Sequence, residues 1–232
     1  MNLILVAHGT RKPGGVAMVG DLAQRVGELL DRVVQVAFVD VLGPTPTEVL
    51  AAPAVADQPA VVVPAFLSRG YHVRTDLPAH IAASGHPDVT VAPALGPSRQ
   101  ITRVVAQRLT ESGWRPGDSV ILAAAGTSDP AARADLRDSA ALLSGLLGSP
   151  VDLAFAATGA PSVPEAVAAA RRRGARRVAV ASYLLCEGLF QDRLRHSGAD
   201  VVSGPLGTHP GVTRLIADRF RQAQLPATLL AR

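Results

Sequence analysis

The chain has 232 residues, a formal net charge of +4 and a sequence pI near 10.2. Hydrophobic residues make up 48% and aromatics only 3%, so the core is aliphatic and the exposed rings that base-stacking nucleic-acid modules need are missing. The single cysteine, Cys186, excludes an internal disulfide framework and an iron–sulfur cluster held by several thiolates.

The elements begin at once. "LILVA" reads as a strand and runs into "HGTRKPGG", a turn leading to a helix-length segment from Gly15 to Val33. Further β-branched runs follow: "VVQVAFV", "AVVVPAF" and "VTVAP", then a helical stretch from Arg99 to Glu111. The alternation then repeats with "SVILAAA", "VDLAFAA", "RRVAVASYL" and "DVVSGP". Strands alternating with helices predict parallel βαβ units. No basic leader with a cleavage site precedes the first strand, and no apolar run reaches about 18 residues. The expected setting is therefore the cytoplasm, with no membrane partner. The run Arg171, Arg172, Arg173, Arg176 and Arg177 reads as a solvated helix end, where cations suit the dipole, and no nucleic-acid partner is expected.

The chain is also written twice. "LILVAHGTRKPGG" (3–15) matches "VILAAAGTSDPAA" (120–132), and "FVDVLGPTPTEVL" (38–50) matches "FAATGAPSVPEAV" (155–167). "FLSRGYH" (66–72) matches "LLCEGLF" (184–190), and "LGPSRQITRVVAQRL" (95–109) matches "LGTHPGVTRLIADRF" (206–220). Order is kept and offsets are nearly constant, so the expected organisation is two α/β units, 1–114 and 115–232. Each has about four parallel strands, and a cleft is expected between them.

Ligands of open parallel sheets bind outside the carboxyl ends of the strands. His8 stands at the first such end, Asp40 at the second and His72 beyond the third. The second unit has Ala125, Ala157 and Phe190 at those places, so the first unit is the reacting half. Two imidazoles and a carboxylate can bind a borderline divalent metal with coordination positions left open, or act as bases. The backbone N–H groups after Gly9 and Thr10 favour an anion, as do Arg11, Lys12, Arg69 and Arg74, while Gly70 and Tyr71 adjoin His72. His80, His86, His196 and His209 read as structural, and Cys186 as an inert thiol.

"LVAHGTR", the acid in "FVDVLGPT" and "VVVPAFLSRGYHVRTDLP" together resemble the sirohydrochlorin chelatases, class II chelatases of siroheme and cobalamin synthesis. The likeness covers essentially the whole chain and is to the long, fused form, which implies two flavodoxin-like units with one active half. It implies ATP-independent insertion of a divalent metal, Fe²⁺ or Co²⁺, into sirohydrochlorin. Metal and macrocycle are then substrates, no cofactor is permanently bound, and a monomer suffices. His8 and His72 match the family's catalytic, metal-handling histidines. Asp40 falls where the family commonly has Glu, and the His-rich tail and C-terminal cysteines of some members are missing. Iron for siroheme is the main reading and cobalt for cobalamin the first alternative. A non-catalytic tetrapyrrole or metal carrier is the second. A histidine phosphatase would want Arg where Ala7 stands, and neither a P-loop nor G-x-G-x-x-G supports a nucleotide site.

Overall fold

The computed structural model describes residues 1–10 and 12–225. Arg11 therefore lies outside the described residues. The first half contains β1 (Asn2–Ala7), α1 (Pro13–Leu30), β2 (Val34–Phe38), α2 (Pro46–Ala51), α3 (Pro53–Ala56) and β3 (Ala60–Pro64). A π-helical turn (His72–Asp76) then leads directly into α4 (Leu77–Ser84), followed by β4 (Val89–Val91) and α5 (Arg99–Glu111). The second half contains β5 (Ser119–Gly126), α6 (Pro130–Leu147), β6 (Val151–Thr158) and α7 (Val163–Arg172). It ends with β7 (Val178–Tyr183), α8 (Leu189–Arg195), β8 (Val201–Val202) and α9 (Pro210–Ala223).

The strands form two four-stranded sheets of equivalent order, β2-β1-β3-β4 and β6-β5-β7-β8, with every pairing parallel. Central strands of parallel sheets are covered on both faces, so they read as continuous apolar runs rather than alternating ones. Leu3 to Ala7 of β1 are all buried, as are Val178 to Tyr183 of β7. Parallel pairing also brings the carboxyl ends of β1, β2 and β3 to one edge of the first sheet.

Turn and cap chemistry recurs in both halves. Proline occupies the first turn of α1 and of α6, where the missing N–H costs no helical hydrogen bond. Thr45 and Ser162 start α2 and α7 with reciprocal capping boxes, each closed by a glutamate three residues on, Glu48 and Glu165. Gly9 and Gly126 lie at φ +96° and +113°, and a Cβ on either would collide with a carbonyl oxygen, of Asp40 and Thr158 respectively. Only glycine fits there without strain.

The compact units do not follow the order of the sequence repeats. One comprises Met1–Leu95 and the segment beginning at Pro210; the other comprises Gly96–His209. In the first unit, Ile4, Val6, Val49, Leu50, Val62 and Leu77 form a core on the α2–α4 side of the sheet. α1 and α9 pack together in the same unit, α9 also meets β3, and Arg221 donates to the Leu29 carbonyl at 2.9 Å. In the second unit, Ile121, Ala123, Val167, Val180 and Leu194 form the core beside α7 and α8, while α5 packs on α6 and β7. The last helix of each sequence repeat thus completes the compact unit built mainly from the other repeat. Among the described residues, no helix is long and apolar enough to cross a membrane.

Candidate functional site

β1 delivers His8 one residue beyond its last paired position, and the chain must then turn sharply. Gly9 makes that turn at positive φ, which lets the Asp40 carbonyl approach its Cα. The Asp40 N–H donates to the His8 carbonyl at 3.1 Å, extending the β1–β2 pairing to the rim. His8 Nδ1 lies 3.2 Å from the Gly9 carbonyl. A carbonyl only accepts, so that contact places the ring hydrogen on Nδ1.

His72 arrives by a different route. The chain leaves β3, passes through Phe66 to Gly70 and enters the π-helical turn, where Leu77 N–H donates to the His72 carbonyl. Pro78 supplies a physical reason for the widened turn. In a continuous α-helix its ring would press on the Arg74 carbonyl, and it has no N–H to donate. Leu77, 1% exposed, anchors the segment in the core.

The two histidines, far apart in sequence, meet in space. Their ring centroids are 4.4 Å apart and the planes are nearly perpendicular, at 89°. Phe66 and Tyr71 flank His72 at 6.2 and 6.1 Å between centroids. A cleft of about 710 Å³ adjoins His72; Asp40, Thr47, Tyr71, Asp76 and His80 also line it. That is large enough for a sizeable organic ligand.

The carboxylates are placed differently from their order in the sequence pattern. Asp40 lines the cleft, but its Oδ1 accepts from the Val41 N–H at 2.7 Å. Asp76 is the acid that meets an imidazole, with Oδ2 2.5 Å from His72 Nδ1. Reading the strand ends alone misses Asp76 because it lies on a helical segment past the rim. The signal was present all the same: His and Asp four residues apart on a helix share a face. Among the described residues, no three His, Cys, Asp or Glu side chains are grouped to hold a metal ion.

Of the other candidate residues, Thr10 accepts a hydrogen bond from the Lys12 N–H at 3.2 Å and so shapes the turn into α1. The Gly70 carbonyl accepts from the N–H groups of Val73 and Arg74, opening the π-helical turn. Arg69, Tyr71 and Arg74 are exposed beside His72.

The remaining histidines have identifiable partners or positions. His86 links the Val55 carbonyl with the Asp88 N–H, and His196 lies 2.7 Å from the Asp192 carbonyl at the end of α8. His209 is buried just before α9. His80 lines the cleft and also ties α4 to α2, with Nδ1 2.8 Å from the Thr47 hydroxyl. Burial pushes the Cys186 thiol up, with the Glu187 charge adding to the shift, so the thiolate is disfavoured.

The chain is similar to known proteins. A sirohydrochlorin ferrochelatase of Priestia megaterium is 26% identical over 238 residues, spanning 94% of this chain and 89% of that protein. A sirohydrochlorin cobaltochelatase of Methanopyrus kandleri is 38% identical over 79 residues, 33% of this chain and 54% of that protein. The fold superimposes on SirB from Bacillus subtilis, solved with Fe³⁺, with a TM-score of 0.83 at 21% identity and 96% of each chain covered. The CbiX family model matches residues 2–112 and again 119–223, one match for each sequence repeat. Both halves of the duplication are thus accounted for, and the chain belongs to the CbiX family.

Proposed function

We propose that this protein is a sirohydrochlorin chelatase that inserts Fe²⁺ into the macrocycle without ATP, using His8, His72 and the rim around them. The observation that carries the reading is the pair of imidazoles in contact at one sheet edge, in a chain of the CbiX family. The ferrochelatase relative, similar over nearly the whole chain, favours iron. The cobaltochelatase relative supports Co²⁺ as the second reading, since imidazole suits both ions.

Sirohydrochlorin loses two pyrrole N–H protons as the metal enters, and the ion sheds its waters. His8 and His72 present the metal or take those protons through Nε2, because Nδ1 of each ring is already committed. Arg11, Lys12, Arg69 and Arg74, with the Gly9–Thr10 turn, suit the peripheral carboxylates, and Gly70 and Tyr71 border the macrocycle. Binding energy from the periphery can hold the ring distorted toward the geometry of insertion. Asp40 serves the rim as a brace and a cleft-lining charge. The metal is a substrate, no resident cofactor is required, and a monomer carrying both fused repeats is sufficient for activity in the cytoplasm.

The test is the visible absorption of sirohydrochlorin mixed anaerobically with the protein and Fe²⁺, then Co²⁺, beside protein-free controls and the double variant His8→Ala/His72→Ala. Acceleration by wild type alone is the expected result, with the faster metal identifying the pathway. Binding of sirohydrochlorin without acceleration would make the protein a carrier and overturn the enzymatic reading.

A further inference from the structure

The chelatase reading leaves Asp76 without a task, although it makes a short polar contact with one of the two histidines. Its Oδ2 lies 2.5 Å from His72 Nδ1. A carboxylate only accepts, so a ring hydrogen resides on Nδ1, and in the neutral ring the lone pair is then on Nε2. His8 reaches the same tautomer by donating to the Gly9 carbonyl. The two rings are therefore prepared alike, one by the main chain and the other by an acid. Asp40 does not act in this way, because its carboxylate is turned back onto the Val41 N–H.

Asp76 is held in place from both sides. It closes the π-helical turn, and its neighbour Leu77 is fixed in the core. Its side chain is 26% exposed and that of His72 32%, so the contact is partly sheltered from water. The repeat supplies an independent observation. Continuing the match of 66–72 with 184–190 places Phe190 opposite His72 and Leu194 opposite Asp76. Leu194 is fully buried. The half that has lost the imidazole has also lost the acid, and a helical segment forms there without either. The acid thus occurs only where the imidazole does, and a buried leucine takes its place in the other repeat.

We infer that Asp76 is a positioning residue for metal insertion: it holds His72 as the Nδ1–H tautomer with its ring fixed, so that Nε2 meets the incoming divalent ion. The inference rests on the chelatase reading for its purpose. Carboxylates that orient metal-binding histidines set ring direction as well as tautomer, and their loss weakens metal handling roughly 10–100-fold.

The full-length protein with ¹⁵N-labelled histidine tests this in wild type, Asp76→Ala, Asp76→Asn and Asp76→Glu. Thermal melting first confirms that each is folded, and Asn, matching Asp in shape, guards against loss of the Ala variant. Long-range ¹H–¹⁵N spectra of His72 without metal should show Nδ1–H in wild type and Glu, and a shift toward Nε2–H in Ala. Titration with Co²⁺ alone, followed by visible absorption, should weaken about 10–100-fold in Ala and recover in Glu. In the insertion assay kcat should fall with the KM for sirohydrochlorin unchanged. An Nε2–H tautomer in wild type, or a tautomer and Co²⁺ affinity unaltered in both Ala and Asn, would overturn the assignment. If wild type fails to accelerate insertion, the chelatase reading falls, while the spectra still decide whether Asp76 sets the His72 tautomer.

Discussion

The rims of the two sheets are built on one plan and furnished differently. At the end of β1 the chain reads His8–Gly9; at the end of β5 it reads Ala125–Gly126. At the end of β2 the Phe38 N–H donates to the Pro44 carbonyl at 2.9 Å, and within β6 the Phe155 N–H donates to that of Pro161 at 3.0 Å. Past β3 stand His72 and Asp76; past β7 stand Phe190 and Leu194, with the Arg193 guanidinium 5.7 Å from the Phe190 ring centre. Glycines, caps and backbone bonds are retained while the polar side chains are replaced by apolar ones. Framework and rim side chains are therefore separable in this fold, and only the first half carries the two imidazoles and their neighbouring acids on that framework.

The strongest challenge to that contrast is to convert one rim into the other. His8→Ala and His72→Phe install the residues of the second half and should each lower metal insertion by about 10²–10⁴-fold, the usual range for a lost acid–base group. The absorbance assay measures this, and a rate retained in either variant would show that the histidines do not distinguish the halves. The reverse change, Phe190→His, lacks an acid at Leu194 and should leave the rate within about twofold.

Framework positions should instead respond alike. Gly9→Ala and Gly126→Ala both force a Cβ against a carbonyl at positive φ, so each should cost about 2 kcal/mol or more. In a chain of this size that lowers the melting midpoint by roughly 4–8 °C. A loss confined to one variant would mean that the two turns differ in structural importance as well as in chemistry.

The capping boxes predict a smaller matched pair. Thr45→Ala and Ser162→Ala should each cost about 1 kcal/mol, read from the same melting curves. The backbone N–H and hydroxyl of Thr45 hold Glu48 below its ordinary value, and those of Ser162 do the same to Glu165. A lowered folded value means that the unfolded chain binds the proton more readily. The contribution is thus fully present above the ordinary value of 4.5 and is lost as pH falls through the lower folded one. Melting of Glu48→Gln and Glu165→Gln against wild type should show deficits at neutral pH that close together in acid. A deficit that persists in acid would assign the effect to something other than the carboxylate charge.

Much of this was legible in the chain. Arg99 to Glu111 is a helix over the predicted span, and all eight runs contain strands. The apolar content of the central β1 and β7 suits sheets covered on both faces, whereas β4 is exposed at Thr90 and Val91. His8, Asp40 and His72 could be assigned to one edge because parallel strands bring their carboxyl ends together. The meeting of the imidazoles was not legible, since no local pattern records a contact across so much intervening chain. Nor was the choice of acid. Both carboxylates lie near the rim in sequence, and only the path of the backbone turns Asp40 toward Val41 and Asp76 toward His72.

The sequence alone carries the duplication, the strand–helix alternation, the capping boxes and which half bears the rim histidines, because these follow from local propensity, periodicity and residue identity. Tertiary structure decided the ring contact, the tautomer partner of His72 and the exchange of last helices. The exchange shows the reason most plainly. α5 and α9 come from matching repeat segments and carry similar apolar stripes, with Ile101, Val104, Val105 and Leu109 buried on one and Val212, Leu215, Ile216 and Phe220 on the other. Hydrophobic burial is non-directional, so such a stripe specifies that a helix must be covered without naming the sheet that covers it. The path of the whole chain makes that choice.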